Sequence, residues 1–153
     1  MKTELTTTLI ARFDRLAGRR STWETHWQEV ADYMLPRKAD ITKKRARGDK
    51  RMERIFDSSP LQALELLASS LHGMLTNPST PWFTLRFKKL EDSNDDEAKL
   101  WLEEATEVMY TAFNRSNFQQ EIFELYHDLI TFGTAAMFVE EDEQDLLKFS
   151  TRH

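Results

Sequence analysis

Glu124 and His127 have the spacing of a metal-ligand pair. His127 follows Glu124 by three positions, the Glu-x-x-His arrangement of di-iron carboxylate bundles, which places both side chains on one helix face. Such a site needs a second pair and two more glutamates, and the sequence has no second pair. Because His127 follows Tyr126 beside an apolar stripe, a structural histidine held by hydrogen bonds is the favoured interpretation.

A run of carboxylates near residue 142 could hold a hard cation such as Ca²⁺ or Mg²⁺. It lacks the glycine and the alternating oxygen ligands of a calcium-binding loop, so a solvated turn between two strands is favoured. The run consists of Glu140, Glu141, Asp142, Glu143 and Asp145.

No serine has the surroundings of an activated nucleophile. Ser58, Ser59, Ser69 and Ser70 have no glycine elbow, and His72 lies on the same predicted helix as Ser69 rather than on a separate element. There is no cysteine, and the four glycines are too scattered for a phosphate-binding loop. The sequence therefore predicts no catalytic residue, no metal and no cofactor.

A basic segment is the one candidate for binding a polyanion. Residues 37–54 hold nine basic and three acidic side chains, a local charge of +6, although the whole chain carries −5 and so does not have the basic balance of a dedicated nucleic-acid binder. No aromatic residues are interleaved for base stacking, so only sequence-tolerant contact with phosphates is expected; the alternative is a mobile, solvated loop. The candidate contacts are Lys43, Lys44, Arg45, Arg47, Lys50 and Arg51.

Two amphipathic helices are predicted before the basic segment. The first covers about residues 3–17 and can end at Gly18, and the second begins with a capping box formed by Ser21 and Glu24 and ends at Pro36. Their apolar stripes are Leu5, Leu9, Phe13 and Leu16 in the first helix and Trp23, Trp27, Val30 and Met34 in the second. Both tryptophans suit a packing face against another helix or another subunit, and core packing is favoured.

A long, polar connection is predicted over residues 37–57, flexible and partly disordered. The next helix has Ser59 as N-cap, Pro60 at its first position and Gln62 completing a capping box, and it ends at Asn77 and Pro78. Residues 82–87 alternate in polarity like a half-buried strand.

The remaining residues predict a helical hairpin followed by two strands. Acidic residues 95–97 begin one helix, a short break falls at residues 114–117, and a second helix runs from Phe118 to Gly133. Residues 134–140 and 146–150 read as strands around the acidic turn. The whole is a single α+β domain, mostly helical, and no apolar run approaches the roughly 20 residues of a membrane helix.

Three blocks of sequence together resemble the podovirus-type head-to-tail connector, or portal, proteins of tailed bacteriophages. The first is a Trp-rich helix closed by Leu-Pro-Arg, RRSTWETHWQEVADYMLPRKADI, and the second is an apolar helix ending in NPSTPWF. The third is NRSNFQQEIFELYHDLITFGTAAMFVEED, with its Phe-Gly-Thr-Ala turn into a strand. The blocks occur in the family's order and cover most of the chain.

The resemblance implies a structural protein of the virion rather than an enzyme. Such proteins form a ring, expected to be a dodecamer, at one capsid vertex after assembly in the host cytoplasm. The implied partners are the terminase packaging motor, capsid and scaffolding proteins, tail adaptor proteins and the double-stranded DNA that is packaged and ejected, with no membrane.

Portal subunits are several times longer than 153 residues, so the chain is expected to be an amino-terminal, wing-like portion without the tunnel-lining helices. The alternative is a stand-alone helical nucleic-acid-binding or adaptor domain. Candidate subunit-interface residues are Trp23, Trp27 and Phe118.

Overall fold

The computed structural model describes residues 2–50, 52–53, 55–87, 96–144 and 146–152, with side chains from Glu4 onward. The chain divides into two compact units, Met1–Leu64 and Glu65–His153. The described elements are helices and one small sheet, which confirms the α+β, mostly helical fold class. The single domain and the flexibility of residues 37–57 stay predictions.

One continuous helix, α1 (Lys2–Met34), replaces the two helices expected before the basic segment. The predicted break is wrong because Gly18 does not adopt a left-handed conformation, and a glycine inside a helix costs only about 1 kcal/mol. The Ser21 hydroxyl donates to the Gly18 carbonyl oxygen at 2.9 Å, as serines inside helices do, and so caps no helix. The two predicted apolar stripes therefore lie on one helix.

The chain leaves α1 through a single 3-10 turn, Pro36–Lys38, and then runs without regular structure to helix α2 (Ser59–Leu75) in the described residues. The capping box predicted for α2 is not formed. Instead, the Asp57 carboxylate accepts hydrogen bonds from the Ser59 N–H and hydroxyl, and this lowers the pKa of Asp57. The Gln62 amide reaches the Ser58 hydroxyl at 3.4 Å.

Residues 82–87 have no regular secondary structure and do not form the predicted strand; their backbone instead binds side chains of helix α3 (Asp96–Arg115). The Tyr110 hydroxyl accepts the N–H groups of Trp82 and Phe83 at 2.6 and 2.7 Å and donates to the Phe83 carbonyl at 2.9 Å. The Leu85 N–H donates to the Thr106 hydroxyl at 3.3 Å. The alternation of residues 82–87 thus reflects packing on a helix.

Helix α4 (Phe118–Phe132) follows α3 after two residues, as the sequence predicts, and it ends at Gly133. Strands β1 (Ala136–Asp142) and β2 (Leu146–Arg152) then form the predicted antiparallel hairpin, with Val139 opposite Phe149. Asn117 binds the Phe149 backbone twice, at 2.9 and 2.8 Å. The start of α4 is thereby fixed to β2.

The core of the second unit is a cluster of aromatic rings. Phe118 and Phe149 are buried, and Phe118 stacks on Trp82 with ring centroids 5.7 Å apart. Phe113 contacts both Phe118 at 4.7 Å and Phe149 at 5.8 Å. The cluster therefore joins α3, α4, β2 and residues 82–87.

Gly133→Ala is expected to lower the free energy of unfolding by about 1 kcal/mol. Gly133 has φ +72 and its N–H donates to the Leu129 carbonyl, so the cost comes from the backbone conformation, because no atom lies within 4 Å of an added Cβ. Gly18→Ala is the matched control: it also meets no atom, but it lies inside a helix and should stabilise by up to about 1 kcal/mol. Urea unfolding of both variants measures the contrast, and equal effects would contradict it.

Candidate interaction surfaces

A buried carboxylate on α1 binds two of the predicted polyanion-contact residues. Asp32 is only 3% exposed, and its oxygens accept hydrogen bonds from Lys43 Nζ at 2.9 Å and from Arg45 Nη2 at 2.9 Å. Arg45 also lies 3.4 Å from Asp40. Lys43 and Arg45 are therefore structural ion-pair partners of α1 in this chain.

The buried side chain of Gln28, one turn before Asp32, fixes the backbone that carries these cations. Its oxygen accepts the N–H groups of Ile41 and Thr42 at 3.0 and 2.9 Å, and its nitrogen donates to the Ala39 carbonyl at 2.6 Å. It also donates to Asp32 Oδ1 at 3.0 Å. The first part of the predicted flexible connection is thus hydrogen-bonded to α1.

The pKa of Asp32 is set by two opposing effects. Burial raises it, but hydrogen bonds from Lys43, Gln28 and Arg45 and the charge of Lys43 together hold the pKa below the ordinary value of 3.8. Asp32 is consequently ionised at neutral pH.

The remaining candidate cations are placed differently. Lys44, Arg47 and Lys50 are exposed, whereas Arg51 lies outside the described residues. The structure thus separates the set into two residues engaged by Asp32 and three whose charges face solvent.

The two tryptophans of α1 also differ. Trp23 is 60% exposed, whereas Trp27 is half-buried, and their ring centroids are 6.3 Å apart. The Arg20 guanidinium lies 5.2 Å over the Trp27 ring and pairs with Glu24 at 3.2 Å. Trp23 therefore retains apolar surface for a partner, and Trp27 is covered in part by an arginine.

Phe118, the third candidate for the subunit interface, is 5% exposed and lies in the aromatic core. Its ring contacts Trp82, Phe113 and Phe149 of the same unit. Little of its surface is left for a neighbour, so the fold alone accounts for this side chain; its role at a subunit interface stays a prediction.

The groups considered for chemistry have structural contacts. His127 is buried, with Nδ1 2.9 Å from the Phe123 carbonyl and Nε2 3.2 Å from a Glu65 carboxylate oxygen. His72 Nε2 lies 2.8 Å from the Gln119 side-chain oxygen. In the acidic run, Glu140 lies opposite Lys148 in the hairpin, and Asp145 lies outside the described residues. Across the described ranges, no three His, Asp or Glu side chains are grouped to hold a metal.

Three residues that organise the fold are not predicted by the sequence pattern: Gln28, Asp32 and Tyr110 bind backbone or side chains between 11 and 28 positions away. For Gln28 and Asp32, the one feature of note is that they are polar residues buried on a helix that also carries an apolar stripe.

No membrane-crossing candidate exists among the helices in the described part of the chain, since none is both long and apolar enough.

Comparison with known proteins gives consistent matches. Residues 6–153 match the family model described as "Bacteriophage head to tail connecting protein". A probable portal protein of Bordetella phage BPP-1 is 35% identical over 135 residues, which cover 88% of this chain. The portal protein of Salmonella phage epsilon15 is 33% identical over 141 residues, which cover 92% of this chain.

These matches cover 24% and 25% of the two relatives, so the chain spans about a quarter of their length. The family model nevertheless matches nearly all of this chain, including most of α1, the aromatic core and the β1–β2 hairpin. The chain belongs to the family of bacteriophage head-to-tail connecting proteins, which is a structural family.

Proposed function

We propose that this chain is the wing-like, amino-terminal part of a portal subunit, a non-enzymatic building block of the connector ring at one capsid vertex. The observation that carries the proposal is the family match over residues 6–153, supported by two relatives named as portal proteins. Helices with exposed apolar and charged residues suit a component whose work is mechanical contact with neighbours.

The full-length subunit would assemble in the host cytoplasm as a ring, expected to be a dodecamer, and reside in the virion. There it would nucleate head assembly with capsid and scaffolding proteins, dock the terminase motor, pass double-stranded DNA and receive tail adaptor proteins. Negative-stain microscopy of the purified full-length protein tests this: closed rings are expected, and a monomer at micromolar concentration would overturn the proposal.

We also propose that Lys44, Arg47 and Lys50 form the polyanion contact. The supporting observation is that these three are exposed, whereas Lys43 and Arg45 bind the buried Asp32. Exposed cations can approach phosphates and release counterions without breaking an internal ion pair.

Reversal of these three charges to glutamate is expected to weaken DNA binding by the chain and to make it less sensitive to salt. The slope of the logarithm of the binding constant against the logarithm of the salt concentration falls in magnitude by about 0.9 for each lost phosphate contact. Loss of three contacts should therefore reduce it by roughly 2.7. Fluorescence anisotropy with a labelled duplex between 50 and 200 mM salt measures it. Reversal of the exposed Arg15, Arg86 and Arg152 changes the net charge equally and is the matched control; an equal effect of both triples, or no salt slope in the unmodified chain, would refute the contact.

A further inference from the structure

The first half of α1 presents a long apolar seam to solvent. The helix is continuous over 33 residues, and the side chains that form the seam in its first half are each more than half exposed. Successive seam residues are spaced by four or three positions, which is the repeat of a helix that packs against another helix. They are Leu5, Leu9, Phe13 and Leu16, with Ile10 beside them.

A second uncovered seam lies on α3. Thr106 and Tyr110 bind the backbone of residues 82–87, so that face of α3 is occupied. Another face carries Trp101 and Val108, which are 62% and 68% exposed and seven positions apart. Together with the half-buried Ala98 and Ala105 they repeat every three or four residues. Small side chains between large ones leave room for the knobs of a partner helix.

The two seams are complementary in charge. The exposed half of α1, residues 4–20, has four arginines and two carboxylates, whereas α3 has five carboxylates and two basic residues. Beside the α1 seam, Arg12 and Arg19 are exposed on one flank, seven residues apart. On α3, Glu97 and Glu104 flank the seam with the same separation. Such flanking charges set partner choice and orientation between paired helices.

We propose that the exposed half of α1 docks on the Trp101–Val108 face of α3 in a second copy of this chain, with the two helices antiparallel. This inference rests on the proposed ring and names the faces that meet in it. Because different surfaces meet, the contact is head to tail and can close into a ring, unlike the two-fold contact of a symmetric dimer.

The charges select one register. In an antiparallel pair, the flank of α1 that carries the two arginines faces the flank of α3 that carries the two glutamates. Arg12 then pairs with Glu104, and Arg19 with Glu97, of the neighbouring copy. The seams then place Phe13 opposite the large Trp101. In the same register, Leu9 lies opposite Ala105 and Leu16 opposite Ala98.

Cysteine cross-linking tests both the register and the second copy as partner. This chain has no cysteine, so Leu9→Cys with Ala105→Cys is introduced into the full-length protein after any cysteine outside these 153 residues has been replaced by serine. Mild oxidation is expected to give a ladder of linked subunits on a non-reducing gel. Leu9→Cys with Glu103→Cys, on a different face of α3, is the matched control and should stay monomeric. A linked monomer would mean that α1 docks on its own α3, which overturns the proposal.

Charge reversal gives an independent measurement. Arg12→Glu with Arg19→Glu should raise the concentration needed for ring formation by about tenfold, and adding Glu97→Arg with Glu104→Arg should restore it. Normal rings in the arginine variant without a cysteine ladder would refute this interface while leaving the portal assignment intact. Absence of rings from the unmodified protein would instead refute the portal assignment, and the cross-link would still report whether the helices pair.

Discussion

Phe118→Ala is expected to lower the free energy of unfolding of the second unit by about 4 kcal/mol. The phenyl ring is 5% exposed and contacts three other aromatic rings: Trp82 at 5.7 Å, Phe113 at 4.7 Å and Phe149 at 5.1 Å. Alanine removes the buried apolar area and leaves a cavity that rigid neighbouring rings cannot fill by small shifts. Urea unfolding followed by circular dichroism measures the loss.

Two variants separate packing from general disturbance. Phe118→Leu retains most of the buried volume and should cost about 1.5 kcal/mol. Phe138→Ala removes the same ring from a residue of β1 that is 54% exposed, and it should cost about 0.5 kcal/mol. If Phe118→Ala left stability unchanged and only weakened association between subunits, Phe118 would be an interface residue after all.

The helices of the second unit could be predicted because their limits are encoded locally. Acidic residues at the start of α3 complement its dipole, and Asp96 is held ionised by Lys99, which lowers the pKa of Asp96. Gly133 ends α4 because a left-handed residue there costs least for glycine. Both signals act within one turn of helix, so the few residues around each helix end are enough to predict where that helix begins or ends.

The partner of residues 82–87 cannot be predicted in the same way. Alternation in residues 82–87 predicts a half-buried strand, but it does not state what will bind the backbone, and no strand forms there. The structure uses Tyr110 and Thr106 of α3, more than 20 positions away, in place of a neighbouring strand. A tyrosine hydroxyl that joins three backbone groups looks, in the sequence, like any other tyrosine on an amphipathic helix.

The break expected at Gly18 shows a different limit. A glycine near a polar stretch favours a helix end only by about 1 kcal/mol, which the continuation of hydrogen bonds on both sides can outweigh. The wrong helix end at Gly18 affects more than one residue, because one continuous helix aligns the stripes of Leu9 and Trp23 into a single seam. The candidate contact between copies depends on that continuity.

The basic segment was recognisable from its composition, but the division of its charges was not. Nine basic residues within 18 positions mark the segment in any reading of the sequence. Which cations turn inward depends on Asp32, and the path of the backbone depends on Gln28, both on another element. These contacts decide that Lys43 and Arg45 stabilise the fold while Lys44, Arg47 and Lys50 face solvent.

Asp32→Ala is expected to lower the free energy of unfolding by about 3 kcal/mol at neutral pH. It removes the carboxylate that binds Lys43 and Arg45, and it leaves the mostly buried Arg45 guanidinium without that partner. Because the pKa of Asp32 is lowered in the folded chain, its stabilisation is complete above about pH 4 and is lost as the pH falls through the folded pKa. Urea unfolding between pH 3 and pH 7 should show a steeper loss for the unmodified chain than for the variant.

Hydrogen exchange can assign this loss to the attachment of residues 39–45. The amides of Ile41 and Thr42 donate to Gln28, whose own nitrogen is bound to Asp32, so both amides should exchange faster in Asp32→Ala. Asp14→Ala removes the same carboxylate group from an exposed position of the same helix. It should alter neither the free energy of unfolding nor the hydrogen exchange of these amides. Equal protection of the Ile41 and Thr42 amides from exchange in both variants would show that Asp32 does not hold the basic segment. Other contacts would then have to restrain Lys43 and Arg45.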